Sequence, residues 1–498
     1  MSRGVRRIAP LRRRLLSLVL VTAAITAALA LAGRSNQPSV GRAALSPDAP
    51  NVLVIETDDQ TLESMKVMQN VNSLIGAQGV TFTNSFVNYS LCCPSRATFL
   101  TGQYAHNHRV WSNTPPDGGF PRFESLHAND NLAIWLQRAG YYTAVIGKYL
   151  NEYDNEPPKP PGWSEWHVAA PDDQTVYDYT LNNNGELTQY GHAASDFKQY
   201  VLTRKAVNFV DRRARKPRPF FLWLTYTAPH KALPNDSPRP PFDCRGTAEP
   251  SSRDGHAFDT EPLPMPPNFN EADVSDKPPA VRNLPLLDSA QIADVQRKYR
   301  CELESLLSVD EGVKQVVDAL AAKNDLDNTL IIYTSDNGYF HGEHRIPDEK
   351  TRIYEESIRV PLEMRGPGIP AGLSLNPLVI NADLAPTVLD AADVTPGFAM
   401  DGRSLLPVIQ NPAIDRNRDL LVEEPGVKAI RTPRYTYAEY GQGERELYDL
   451  KNDPYELQNL DGRAAYASVE STLRFRLHKL EGCAGASCLM RKPDPPAP

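Results

Sequence analysis

Long runs of basic residues are missing from this 498-residue chain, and its formal net charge is −8. Affinity for a phosphate backbone rests on lysine and arginine, so a general nucleic-acid binder is excluded. Binding to another anionic polymer would need a local basic patch. No internal repeat is present, and no second apolar stretch long enough to cross a bilayer follows the N-terminal one. Cysteine is scarce, with six residues, whereas forty-four prolines point to long, rigid surface loops. The 41% hydrophobic and 23% charged shares are those of an ordinary globular protein. The length suits a large domain plus a smaller one.

The first 32 residues hold six arginines (Arg3, Arg6, Arg7, Arg12, Arg13 and Arg14) and no acid, so removing them takes the net charge from −8 to −14. Leu15 to Gly33 is apolar or small throughout, and Ala30-Leu31-Ala32 fits a small-residue cleavage site. Residues 1–32 are therefore expected to be a signal peptide, or an N-terminal anchor if uncleaved, because the stretch is about long enough to span a bilayer. Arg12-Arg13-Arg14-Leu15-Leu16 is a looser match to a twin-arginine signal. On each reading the remainder is secreted or extracytoplasmic and meets a membrane only through this segment. The cysteines fit an oxidising compartment. Cys483 and Cys488 flank a short Ala-Gly-Ala-Ser loop and are expected to pair. Cys244 and Cys301 could then pair across a Pro-rich segment, buried free thiols being the alternative.

Residues 33–49 are polar, with Pro, Ser and Gly, and read as a linker. Asn51-Val52-Leu53-Val54-Ile55 predicts a buried strand that ends at the acidic pair Asp58-Asp59. Similar strands are expected at 142–146, 220–224 and 329–333. Helices are expected near 132–139, 197–210 and, longest, 289–323, where apolar residues recur every three or four positions. Strands alternating with helices imply an α/β fold whose large, mostly parallel sheet is covered on both faces. Sites in such sheets form at the C-terminal strand ends. Asp58, Gly147-Lys148, Pro229-His230 and Asp336-Asn337 each fall just after a predicted strand. Residues 231–288 are rich in Pro, Asp and Ser and read either as an excursion covering the site or as a disordered insertion. From about residue 411 the pattern changes to short strands, at 435–440 and 446–450, and a final helix near 465–480. The expected division is a catalytic domain at 50–410 and a smaller C-terminal α+β subdomain at 411–498.

Asp58-Asp59 and Asp336-Asn337 together offer three carboxylates and an amide oxygen, a hard donor set suited to Ca²⁺ or Mg²⁺ and not to zinc. An isolated Asp-Asp pair is more often a turn or a helix cap. Two such clusters beside one reactive residue reverse that reading, and the residue in question lies in Cys92-Cys93-Pro94-Ser95-Arg96, with Thr101-Gly102 following. A helix beginning near Pro94 would place Arg96 in its first turn and favour negative charge at residue 92.

The pentapeptide resembles the signature of type I sulfatases, and the resemblance runs from Asn51 through Ala382-Asp383-Leu384-Ala385-Pro386-Thr387 and Asp401-Gly402-Arg403-Ser404-Leu405 to Glu446–Leu460. It implies an alkaline-phosphatase-like fold. It also implies that a formylglycine-generating enzyme oxidises Cys92 to formylglycine during maturation. Asp58, Asp59, Asp336, Asn337 and residue 92 would then hold one divalent cation, usually calcium. Arg96 would steady the hydrated aldehyde, and Lys148, His230 and Lys350 match positions that contact the sulfate. His230 could protonate the leaving oxygen, with Lys350 as its competitor. Gly147-Lys148-Tyr149-Leu150-Asn151-Glu152-Tyr153 resembles the N-acetylglucosamine-6-sulfatase and endosulfatase branch. Leu150 stands where many sulfatases carry a histidine, and Asn151 could supply a hydrogen bond there but not a base. His106, His108, His341 and His344 can line the leaving-group side or be structural, since their spacings are weak zinc signals without supporting ligands.

The implied activity is release of sulfate from a sulfated sugar, such as 6-O-sulfated N-acetylglucosamine, or from an aryl sulfate. One hydroxyl of the aldehyde hydrate would attack sulfur, and the second would collapse the adduct. The alternatives are a phosphonate or phosphate ester hydrolase of the same superfamily, or a sulfated-glycan binding protein without turnover.

Overall fold

Asn51–Asp58 forms strand β1, in which all eight residues are buried. Its neighbours are Phe220–Pro229 (β3) on one side and Thr329–Ser335 (β4) on the other, both parallel to it, with Tyr142–Gly147 (β2) parallel to β3 beyond. Met1 and residues 49–154, 159–169, 174–233, 244, 246–414, 418–489 and 492–497 are described in this computed structural model. The expected leader at 1–32 and most of the linker at 33–49 lie outside the described residues. Among those described, no helix is long and apolar enough to cross a membrane.

The sheet has ten strands and is mixed. Its centre is parallel as expected, but both flanks turn antiparallel, through Leu362–Arg365 beside β4 and through Thr180–Asn183 and Glu186–Gln189 at the far edge. These flanking strands are only four residues long, so their alternation is too brief to stand out in sequence. The two-residue period of β1 divides the core. Val52 and Val54 join one apolar cluster with Phe221, Trp223, Leu330 and Ile332, whereas Leu53 and Ile55 join the other with Leu222, Leu224 and Ile331. Helix α1 (Cys92–Thr101) and Leu132–Ala139 cover the first face. Lys198–Arg213 (α2) and Ser289–Ala322 (α3) cover the second. The long helix α3 begins at a capping box, in which Asp288 accepts from Gln291 N and Gln291 returns the bond to Asp288 N.

The excursion at 246–288 packs against the protein and buries Leu263, Val274, Val281 and Leu287. The Cys244–Cys301 disulfide ties its start to α3, and Cys483–Cys488 closes its own short loop. Four antiparallel strands, Leu420–Glu424 (β5), Val427–Arg431 (β6), Tyr435–Tyr440 (β7) and Arg445–Asp449 (β8), form a separate sheet, followed by helix α4 (Ala467–Leu480). Its apolar side shares a third core with Phe86, Phe340, Ile346 and Ile358. This places the C-terminal sheet directly beside the segments that flank the C-terminal ends of β1 and β4.

Candidate active site

The C-terminal ends of β1 and β4 deliver four of the expected side chains to one point. Asp58 closes β1, Asp59 follows it with φ +67°, and Asp336 and Asn337 follow β4. Ligand atoms of Asp58, Asp59 and Asp336 lie within 4.8 Å of one another, and all three side chains are buried. Cys92 is the first residue of α1, so the helix starts two residues earlier than the sequence reading placed it. Its Sγ is 3.6 Å from Asp58 Oδ1. The N-terminal end of a helix favours negative charge at this atom.

Arg96, one turn further along α1, is completely buried. Its guanidinium meets Asp336 at 2.8 Å, Glu56 at 3.1 Å and Asp58 at 3.5 Å, and donates to Lys148 O at 3.1 Å. Trp223 lies 5.9 Å from the guanidinium carbon. Burial works to lower the Arg96 pKa, but these three carboxylates outweigh it and hold the group fully charged. Glu56 was not singled out from sequence. Burial pushes it up to about 8 in spite of Arg96. Its only sequence signal is a carboxylate inside an apolar strand, two residues before Asp58 and so on the same face.

Lys148 leaves β2 after Gly147, whose φ is +118°; a Cβ there would lie 1.8 Å from Thr225 O, so only glycine lets β2 and β3 approach so closely. Lys148 Nζ lies 2.5 Å from Asp58 Oδ2. Lys350 donates to Asp59 Oδ1 and, at 3.0 Å, to Cys92 Sγ. Burial lowers the Lys350 pKa, and Asp59, Cys92 and Asp58 more than restore it. For Asp58, burial raises the pKa, but Lys148, His230, Arg96 and Lys350 together hold it below the ordinary carboxylate range. Burial, aided by Asp58, pushes the Cys92 thiol up to about 12. His230, at the end of β3, has Nε2 3.9 Å from Asp59 Oδ2, and it shares with Asp58 and Cys92 a cluster of atoms within 4.8 Å. The structure therefore brings together Cys92, Arg96, Lys148, His230 and Lys350 with Asp58, Asp59, Asp336 and Asn337.

The donor set fits a hard divalent cation. Three carboxylates crowd together, and Asn337 Oδ1 is buried without a hydrogen-bond partner while its Nδ2 donates to Asp59 Oδ1 at 2.6 Å.

Other expected residues stand elsewhere. Leu150 is a core residue, 2% exposed. Asn151 Oδ1 is buried with no hydrogen-bond partner, and among the described residues its side chain makes no hydrogen bond to the cluster. The four histidines are held by other partners: His106 by Glu423 and Cys483 O, His108 by Thr98, His341 by Glu302 and His344 by Glu271.

One layer below Cys92, Ser90 donates its backbone N–H to Glu424 Oε1 at 2.6 Å, its hydroxyl donates to the same oxygen, and Thr351 N donates to Ser90 Oγ at 3.1 Å. Burial pushes Glu424 up to about 8, against the lowering effect of Ser90. The folded state thus holds this proton more tightly than the unfolded chain does. Its contribution to stability is complete below about pH 4.5 and is lost as pH rises towards 8. Glu424→Gln removes that loss. Its stability relative to wild type is expected to rise by roughly 1–3 kcal/mol between about pH 5 and about pH 8.5. Urea unfolding at the two pH values measures this, and a pH-independent difference would contradict it.

Comparison with known proteins decides the family. A sulfatase family model matches residues 50–394, and a second model, described as N-sulphoglucosamine sulphohydrolase, C-terminal, matches residues 342–482. The chain belongs to the sulfatase family. It is a sulfuric ester hydrolase with the alkaline-phosphatase-like architecture. It is 33% identical over 506 residues to the N-acetylglucosamine-6-sulfatase of Capra hircus, covering 90% of this chain and 86% of that one. It is 34% identical over 463 residues to a Caenorhabditis elegans protein named as an extracellular sulfatase Sulf-1 homolog, covering 89% of this chain and 62% of that longer one. A solved structure in complex with its substrate D-glucosamine-2-N,6-O-disulfate superimposes with TM-score 0.71 at 26% identity, covering 87% of this chain and 97% of that one. The phosphonate monoester hydrolase of Agrobacterium radiobacter shares the fold at TM-score 0.66 and 22% identity, covering 86% and 95%.

Proposed function

We propose that this sulfatase is exported and removes sulfate from a sulfated aminosugar, with 6-O-sulfated N-acetylglucosamine as the first substrate to test, after oxidation of Cys92 to formylglycine by a maturation enzyme. The observation that carries the reading is the surround of residue 92. Lys350 Nζ at 3.0 Å, with His230 and Lys148 nearby, supports an anion site at a helix N-terminus, and the Asp58 carboxylate 3.6 Å away belongs to the adjoining cluster of acids. Residues 50–410 are the catalytic part and 411–498 the C-terminal part. The two disulfides and the extracellular relative support export.

Asp58, Asp59, Asp336, Asn337 and residue 92 would hold a calcium ion, or magnesium in its place. Once bound, that ion would supply positive charge to the sulfuryl oxygens, and an oxidised, hydrated residue 92 would supply the nucleophilic oxygen and a second hydroxyl for return to the aldehyde. The protein's own groups do the rest. Arg96 fixes Asp58 and Asp336 in place and favours the ionised form of each, although burial and the neighbouring Asp58 leave Asp336 raised. Lys148 and Lys350 bring compact charges to the oxygens that gain electron density as the S–O bond breaks. His230, partly exposed at the mouth, donates a proton to the departing alcohol oxygen and is also the imidazole nearest residue 92. With Leu150 in the core, His230 is the group best placed to take the hydrate's proton as well.

Steady-state kinetics on matched aryl sulfate and aryl phosphate esters, together with sulfate release from 6-O-sulfated N-acetylglucosamine, test the reading. A preference for the sulfate ester and turnover of the sugar are expected. A clear preference for phosphate would overturn the substrate class.

A further inference from the structure

Away from the Cys92 cluster, three side chains from separate segments meet below the surface. His344 comes from the loop after β4, Glu356 from the single turn Glu355–Ile358, and Glu456 from the loop after β8. Their ligand atoms lie within 4.8 Å of one another, and His344 and Glu456 are 0% and 1% exposed.

Each carboxylate spends one oxygen on a donor and leaves the other without one. Glu456 Oε2 accepts from Glu355 N at 3.1 Å, and Glu356 Oε1 accepts from Asn268 Nδ2 at 2.7 Å. Glu456 Oε1 and Glu356 Oε2 are buried with no hydrogen-bond partner. Among the described residues, neither carboxylate forms a salt bridge with lysine or arginine, because Arg431 and Arg359 pair with Glu355 instead. Two buried carboxylates so close together, with no cation between them, are costly.

The histidine adds an independent observation. His344 Nδ1 is 2.7 Å from Glu271 Oε2, and Lys277 Nζ holds the other oxygen of Glu271 at 3.4 Å. The carboxylate holds the Nδ1 proton and turns the Nε2 lone pair toward the two glutamates, where Asn268 Nδ2 now meets it at 3.2 Å; an ion bound there would take the place of that amide. A carboxylate behind the far nitrogen is the arrangement that orients an imidazole toward a metal.

We propose that His344, Glu356 and Glu456 form a second divalent-cation site that takes a first-row ion such as Zn²⁺. One imidazole and two carboxylates suit such an ion, in contrast to the all-oxygen set beside Cys92. Ligand atoms about 2.1 Å from a tetrahedral ion stand about 3.4 Å apart, so side chains now within 4.8 Å of one another would close on it by at most about 1.4 Å. A cavity of about 570 Å³ lined by Glu343, Glu355, Glu356 and Tyr455 reaches the cluster at Glu356. The bound ion would fasten the C-terminal loop to the segment that carries Lys350.

The test uses the full chain, stripped with a chelator, returned to excess Ca²⁺ and titrated with Zn²⁺ alone. One zinc equivalent is expected, measured by calorimetry and by metal analysis after gel filtration. His344→Gln and Glu456→Gln should each weaken it at least tenfold. Glu271→Gln, which keeps all three ligands, should weaken it roughly 10–100-fold. Asp336→Asn should leave it in place. The proposal is overturned if the calcium-saturated wild type takes up no zinc, a result independent of how any variant folds. It is also overturned if the His344 and Glu456 variants bind zinc as well as wild type, or if the Asp336 variant loses it.

Discussion

Replacing Cys92 with alanine is expected to lower kcat/KM for sulfate release by at least about 10⁴-fold, as loss of a covalent nucleophile does. The fold should survive. The thiol is small, it sits at the first position of α1 with the next backbone N–H, that of Cys93, held by Asn113, and no disulfide depends on it. Lys148, Lys350 and His230 remain in the variant, so substrate should still bind. The signature is a collapse of kcat with little change in KM. Retention of more than about 1% of activity, with circular dichroism unchanged, would remove residue 92 from the chemistry. The mass of the wild-type peptide containing residue 92, from protein made in its own source, is the companion measurement. An unmodified cysteine in active protein would end the formylglycine reading.

Arg96→Met is the second large effect, and here stability and catalysis fall together. The wild-type guanidinium is completely buried against Glu56, Asp58 and Asp336. Removing it leaves three carboxylates in the interior with too little positive charge. Breaking a buried ion pair from one side costs about 3–5 kcal/mol. Asp58 and Asp336 would also lose the contact that holds them in place, so activity should fall by more than about 100-fold. Arg96→Lys should rescue little, because a single ammonium cannot reproduce a planar fork that reaches three carboxylates. Urea unfolding and steady-state kinetics on both variants check this. A stability change under about 1 kcal/mol would mean that the carboxylates take up protons at little cost.

Much of this site was legible before any fold was known, and for a physical reason. A strand buried on both faces writes itself as an apolar run, and a parallel sheet places its chemistry at the C-terminal ends of such runs. Asp58, Lys148, His230 and Asp336 stand out by position, just after predicted strands, and the family resemblance supplies their roles. The pairings were not. Lys350 and Asp59 are 291 residues apart, and Arg96 and Asp336 are 240 apart, distances at which no periodicity carries information. Glu56 was passed over because an acid within a strand reads as a departure from the pattern, when in fact it faces Arg96. The antiparallel flanks were missed because three- and four-residue strands cannot show an alternation. In sequence the proline-rich excursion reads equally as cover or as disorder. Its order comes from isolated anchors, such as Leu263 and Val274 and the Cys244 disulfide, and not from a repeating face.

The burial of Cys92 also fixes an order of events in the life of the chain. Its side chain is 1% exposed, and burial pushes its thiol up to about 12, so the reactive thiolate is strongly disfavoured. A visiting enzyme could neither reach this sulfur nor find it reactive once α1 has docked on the sheet. If residue 92 is to become an aldehyde, the conversion has to happen on the nascent or unfolded chain, in the interval before the helix closes over it. The amount of active sulfatase made would then be set by a race between folding and modification. Slowing folding, by lower temperature or a destabilising core substitution, should raise the fraction converted.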